Sequence, residues 1–375
     1  MPAIIPKLVS ATALSPAEKA KNEILGKIGH DLEGRNVSLH NALFEREAPA
    51  RLRNSLQSDT LSSPRNVPYS LAAMAMHYDV LSEYDRAAYF YYKAFLSAIE
   101  HKAKLALPLI VFAMIISKEK AGDTSQAFDI VKEVSLLWKD GLAQWTLATA
   151  RAWLLIHAGD LEDAQDALPD AKALASIVIP LGEKGFGQMY LLFHTEMLEG
   201  TLQYAKGGWR AAHHAFLRAR HLVHEMQATA HGKKFPASFH AEQDLQVAAH
   251  LALVEVAQKN IQSGYKNLAS VYDEARKAGW PWGQAQASLY LGIVAKKVGD
   301  PKVREYFEKS LKTAREVNIP FFQWQAQFYM GCLELADGET DEAVRHLESA
   351  VSIIEILRSQ VTYDAQKNIF HGRET

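Results

Sequence analysis

A single cysteine, Cys332, stands in 375 residues. That excludes an internal disulfide framework and a cysteine-rich zinc or iron–sulfur centre, and it fits a reducing compartment. Proline and glycine are sparse, at 13 and 21 residues, and no Ser/Gly-rich linker divides the chain, which favours one extended architecture over two or three separate domains. Neither sign of charge dominates. Lys+Arg 41 against Asp+Glu 43 gives a net charge of −2, so nothing in the balance argues for nucleic acid or an anionic membrane as partner. The most apolar run, Leu105 to Ile116, spans 12 residues and contains Pro108, against the roughly 20 needed to cross a bilayer; it reads as a buried helix. Met1 to Val9 carries two prolines and no apolar run leading to a small-residue cleavage site, so no signal peptide and a cytoplasmic location are expected.

With 48 % hydrophobic and 22 % charged residues, the chain can bury a sizeable core, which excludes wholesale disorder. Its organisation is a repeat. Gly331 precedes Gly338 by seven residues, and Ala343, Leu347 and Ala350 follow at intervals of five, four and three. The same spacing recurs as Gly200, Gly207, Ala212, Phe216, Ala219 and as Ala152, Gly159, Ala164, Leu168, Ala171. Weaker copies are Ala75, Ser82, Ala87, Tyr91, Ala94 and Gly122, Ala127, Val131, Val134. Gly292 and Gly299 mark a unit with one residue lost after the turn, and Tyr265, Leu268, Tyr272 and Ala275 a degenerate one.

The spacing has a physical cause. A small residue in a first helix lets a second approach closely, and the turn glycine takes the positive φ that ends a helix. Ala and a large apolar residue at i, i+4 and i+7 then form a small–large–small stripe on one face of the second helix. Neither helix buries its stripe alone, so successive hairpins stack into a solenoid with a concave and a convex surface. These residues resemble the tetratricopeptide repeat family, whose second helix reads Ala-x-x-x-aromatic-x-x-Ala. The resemblance covers roughly residues 70–357 and implies an all-α, tetratricopeptide-like superhelical solenoid of about seven helical hairpins, ahead of which an N-terminal helical extension is expected. Ala87, Ala127, Ala164, Ala212 and Ala343 lie 40, 37, 48 and 131 residues apart, the last interval spanning the degenerate pair. These intervals exceed the family's repeat of about 34 residues, which implies longer helices or loops. The largest excess lies between Leu222 and Phe239, where His231, Gly232, Lys233, Lys234 and Pro236 suggest an exposed loop.

Residues 1–69 do not match the repeat. Ser15-Pro16-Ala17-Glu18 reads as a helix start, with Ser as cap and Pro at the first position, for a helix to about His30. Ser58 to Ser63 with Pro64 and Pro68 reads as a linker. The region is expected to be a helical cap on the solenoid end or, alternatively, a partner-binding arm. Residues 358–375 form the end of the last helix and a tail. The helix after Ala350, Val351 to Gln360 with Lys367 and Phe370, also resembles the one closing repeat arrays that precede caspase-like CHAT peptidase domains. That resemblance implies a regulatory portion, with a separate effector docking at this end; an ordinary terminal helix accounts for the same residues.

Catalytic constellations are thin, and the chain is expected not to be an enzyme. Gly182-Glu183-Lys184-Gly185-Phe186-Gly187 lacks the strand context and the Gly-Lys-Ser/Thr ending of a phosphate-binding loop. Cys332 follows the close-packing Gly331 with no neighbouring His indicated. Eight of 15 histidines lie between His194 and His250. His213, His214, His221 and His224 fall on one helical face, but over three turns they cannot share one ion, so a solvated convex face is expected and no metal or other cofactor. A metal-dependent enzyme using this region is the third functional class.

The concave groove is the better candidate. First helices would line it with Phe112, Trp153, His157, Met197, Tyr204, His250, Leu289 and Phe328, large amphipathic residues suited to burying a peptide's side chains. Packing between neighbouring helices is the competing role for the same residues. Lys296 and Lys297 add one basic spot, but the Lys/Asn/Arg ladder of a carboxylate clamp is missing. Structural repeat positions are Gly159, Gly200, Gly207, Gly292, Gly299, Gly331 and Gly338. The expected function is a non-enzymatic protein- or peptide-binding scaffold; the alternative is a ligand-sensing regulator of a separate effector, such as a caspase-like peptidase or a transcription factor.

Overall fold

The computed structural model describes residues 66–371 apart from 104–105, 138–139, 179–184, 230–231 and 235–236. The expected helix at Ser15 to His30 and the Gly182 to Lys184 part of the glycine-containing loop lie outside the described residues. Among the described residues there is no strand, and fourteen α-helices pair into seven hairpins. They are α1 (Val67–Val80) with α2 (Tyr84–Glu100), α3 (Leu107–Lys120) with α4 (Thr124–Leu137), α5 (Gly141–His157) with α6 (Leu161–Val178), and α7 (Phe186–Ala205) with α8 (Trp209–Ala228). Then follow α9 (Ala237–Ala257) with α10 (Ile261–Lys277), α11 (Pro281–Val298) with α12 (Val303–Glu316), and α13 (Pro320–Asp337) with α14 (Thr340–His371). The last helix continues past residue 358 to His371. No helix is long and apolar enough to cross a membrane among the described residues.

Each hairpin turns through one left-handed residue: Ser82, Gly122, Gly159, Gly207, Lys259, Gly299 and Gly338. Five of the seven are glycine, which takes positive φ without steric cost. Hairpin packing rests on paired small and large residues. A Cβ on Gly200 would lie 2.4 Å from the Phe216 ring, and one on Gly292 would lie 2.5 Å from that of Phe307. The fifth hairpin inverts this pairing. There Gly264 in the second helix receives Val256 of the first, at 2.5 Å from where its Cβ would stand.

Long helices lengthen the fourth and fifth hairpins, since α7, α8 and α9 have 20, 20 and 21 residues. The segment expected as an exposed loop contains a single 3₁₀ turn, Gly232–Lys234. Lys233 is exposed, whereas Gly232 is buried and its carbonyl contacts His240 Nε2 at 3.0 Å.

Stacking neighbour on neighbour would leave an open groove, but the superhelix also closes on itself. α1 packs against α9, α3 against α7, and α4 against α14. The turn at Gly122 sits against the turn leading into α13, where a Cβ on Gly122 would meet Asn318 and Pro320 at 3.4 Å. In consequence the last turns of first helices from early hairpins face the opening turns of those from late hairpins.

Candidate functional site

The site begins with α3, whose sequence LPLIVFAMIISKEK is apolar all round until its last turn. A helix without a polar face is buried on every side, and its terminal charges are buried with it. Lys118, Glu119 and Lys120 are only 2, 7 and 6 % exposed. Burying a charge demands a partner, and each finds one in a different direction. Lys118 Nζ lies 3.1 Å from Asp85 and 4.0 Å from Asp123. Lys120 Nζ bridges Asp79 of α1 at 3.0 Å and Glu242 of α9 at 3.5 Å. Glu119 accepts from Trp153 Nε1 at 3.4 Å, and its other oxygen lies 3.0 Å from His157 Nδ1.

Aromatic rings from both ends of the chain complete the centre. Lys120 Nζ stands 5.5 Å from the Tyr84 ring and 5.2 Å from that of Trp282, a cation–π arrangement. His157 stacks on Phe321 with centroids 4.4 Å apart and 16° between planes, and lies within 6.0 Å of Trp282. Trp153 contacts His157 at 4.2 Å and His194 at 5.5 Å. His194 is enclosed by Phe112, Tyr190 and Phe193 at 4.6, 4.5 and 4.8 Å. Every hairpin therefore contributes to one connected network: Asp79, Lys120, Trp153, His194, Glu242, Trp282 and Phe321 come from the first to the seventh in order.

The electrostatics follow from burial. Burial pulls the Lys120 ammonium down, but Asp79 and Glu242 together hold it well above its usual range. Burial pushes the Glu242 carboxyl up to about 7 against the opposing pull of Lys120. The His194 ring sits well below the usual imidazole range through burial and the Lys120 charge, and neither of its nitrogens has a hydrogen-bond partner.

Of the eight residues expected to line a groove, the fold brings Phe112, Trp153 and His157 into this network. His250 stands elsewhere, against Phe216 and Tyr290 at 5.0 and 5.9 Å, and burial lowers its ring to about 4. Tyr204 packs on Trp209 at 5.0 Å. Met197 and Leu289 are core side chains, and Phe328 is 43 % exposed. Lys296 and Lys297 are exposed. Sequence reasoning missed the Lys118-Glu119-Lys120 run, Asp79, Glu242, Trp282 and Phe321. The signal was present only at α3, where a charged triplet closes a helix that has no polar side.

The histidine face is spread over α8. His214 and His221 line a surface groove of about 560 Å³ with Leu192, Leu217 and Glu225. His221 pairs with Glu225 at 3.3 Å, and His224 lies 3.8 Å from Asp244. Among the described residues, no three His, Cys, Asp or Glu side chains converge at metal-binding geometry. Cys332 is partly exposed on α13.

No family model matches the chain. No curated protein matches it either, and the likeness of the last helix to repeats preceding CHAT domains gains no support. Among solved structures, the chain is similar to the crystal structure of a Rap protein complexed with competence and sporulation factor. The TM-score is 0.55 at 15 % identity, over 78 % of this chain and 80 % of that one. At that identity the likeness concerns the fold: an all-α, tetratricopeptide-like helical solenoid.

Proposed function

We propose that this chain is a non-enzymatic peptide- or protein-binding module whose ligand seats on the inner wall of the superhelix. The observation that carries this reading is the convergence of aromatic rings and paired charges from all seven hairpins on one interior network. Trp153, Trp282 and Phe321 offer large rigid surfaces of the kind that anchor binding partners. Glu119, Lys120, Asp79 and Glu242 offer charges that orient a polar backbone once exchanged for ligand groups. The similar Rap structure is of a complex with a factor, which supports the binding role for this chain.

A displayed random-peptide library panned against the folded protein, with Trp153→Ala protein as counter-selection, tests the reading. Enrichment of peptides that bind the parent at least tenfold more tightly than the variant is the expected result. Enrichment indifferent to Trp153, Trp282 and Phe321 would place the binding surface elsewhere.

A further inference from the structure

We infer that the superhelix is held shut by an internal clasp in which Lys120 and His157 grip Trp282 and Phe321, and that releasing the clasp opens the interior. A hairpin solenoid owes its stability to contacts between neighbours. The clasp is of another kind, joining the second and third hairpins directly to the sixth and seventh, with no need of it for any single repeat to fold. It consists of few side chains. Lys120 reaches the Trp282 ring at 5.2 Å, His157 stacks on Phe321 at 4.4 Å, and Trp282 lies parallel to Phe321 at 6.5 Å with 2° between planes. Around these, the Gly122 turn lies close to Asn318 and Pro320, where a Cβ on the glycine would stand 3.4 Å from each, and α4 meets α14.

The clasp also covers what it joins. Trp282 is 2 % exposed and Trp153 4 % exposed, so in the closed ring neither presents a face to an incoming molecule. Phe321 occupies the His157 face that a ligand ring would use. Closed and open rings therefore differ in ligand affinity, and a ligand that binds only the open ring shifts the balance toward it. This last step rests on the interior binding reading; the closure itself does not.

The experiment exploits the lone cysteine. In a Cys332→Ser background, Ser125→Cys at the start of α4 and Glu316→Cys at the end of α12 place two spin labels on opposite sides of the seam. The parent should give one short interlabel distance. Trp282→Ala combined with Phe321→Ala should broaden it and add a longer population, with helicity by circular dichroism retained. Lys120→Met should do so more weakly, and Lys120→Arg, which keeps charge and ring contact, should restore the short distance. An unchanged distance in the double variant and in Lys120→Met, with helicity intact, overturns the clasp. The distances need no ligand, so they decide closure whether or not panning yields peptides. Where it does, a peptide that retains contact with Trp153 should bind Gly122→Asn protein, whose added side chain wedges the seam against Asn318 and Pro320 while leaving the interior charges in place, about tenfold tighter if the parent is open one-tenth of the time; unchanged affinity in a ring that the same labels show to be open overturns the gating.

Discussion

His157 and Phe321 lie face to face, 4.4 Å between ring centroids and 16° from parallel, although they belong to the third and seventh hairpins. Their stacking gives the closure an energy that can be isolated. Aromatic pairs of this geometry contribute about 0.5–1.5 kcal/mol beyond buried area. A double-mutant cycle of His157→Ala and Phe321→Ala, read by urea unfolding, should return a coupling in that range. Additive single effects would mean that the rings share space without supporting each other.

Lys120 is the only cation within reach of both Asp79 and Glu242 among the ion pairs of the described residues. Its replacement by Met strands two carboxylates next to an apolar chain. Breaking a buried pair from one side costs about 3–5 kcal/mol, so Lys120→Met should lower stability by that order. Adding Asp79→Asn and Glu242→Gln should recover most of the loss. If Lys120→Met costs under about 1 kcal/mol, the cluster is wet in solution and the network is looser than its geometry.

Much of this architecture was legible in the sequence because hairpin packing is local. Gly200 and Phe216 are sixteen positions apart, and their pairing leaves a mark in spacing. The turn at Lys259 left none, because a lysine there takes the left-handed conformation that glycine takes elsewhere. The interior network was hidden for a different reason. Asp79, Lys120, Glu242 and Trp282 are joined by superhelical closure, and no periodicity along the chain reports which hairpins meet across a turn of the superhelix. Phe328 and Leu289 show the same limit from the other side: both fit a groove-lining period, yet one is 43 % exposed and the other fully buried.

The pairing of Gly200 with Phe216 makes a sharp stability prediction. A Cβ there would stand 2.4 Å from the ring, so Gly200→Ala should cost about 1–3 kcal/mol by overpacking, despite the better helix propensity of alanine. Gly200→Ala with Phe216→Leu should be more stable than Gly200→Ala alone. Calorimetric melting of the parent and the two variants checks the order.

The buried imidazoles and Glu242 pull stability in opposite directions with pH. His194 and His250 have folded values below their unfolded ones. Their contribution is complete above about 6.5 and is lost as pH falls, for His250 through about 4. Glu242 is raised from 4.5 to about 7, so its contribution is present below 4.5 and lost as pH rises through 7. Glu242→Gln should therefore leave a steeper rise of stability from pH 4.5 to 6.5 than the parent shows. His194→Phe should flatten that rise and raise stability at neutral pH by about 1–3 kcal/mol, since it removes an imidazole buried without partners. Urea midpoints across this range decide both.

The fifth hairpin offers the most economical test of the repeat geometry. Lys259 turns it at φ +70°, where five of the other six hairpins use glycine. A side chain in that region costs roughly 1–2 kcal/mol, and the greater freedom of glycine in the unfolded chain offsets about 0.4–1 kcal/mol of what its removal recovers. Lys259→Gly should therefore stabilise the protein by up to about 1.6 kcal/mol on that arithmetic. Lys259→Asn, which tolerates the left-handed region, should fall between parent and glycine variant. The side chain of Lys259 is exposed, so little packing is lost to confuse the comparison. The gain should also be local: amide exchange should slow at the end of α9 and the start of α10 and stay unchanged in α1. If Lys259→Gly destabilises instead, the turn is held by its flanking helices strongly enough that the extra freedom of the unfolded chain outweighs the strain relieved.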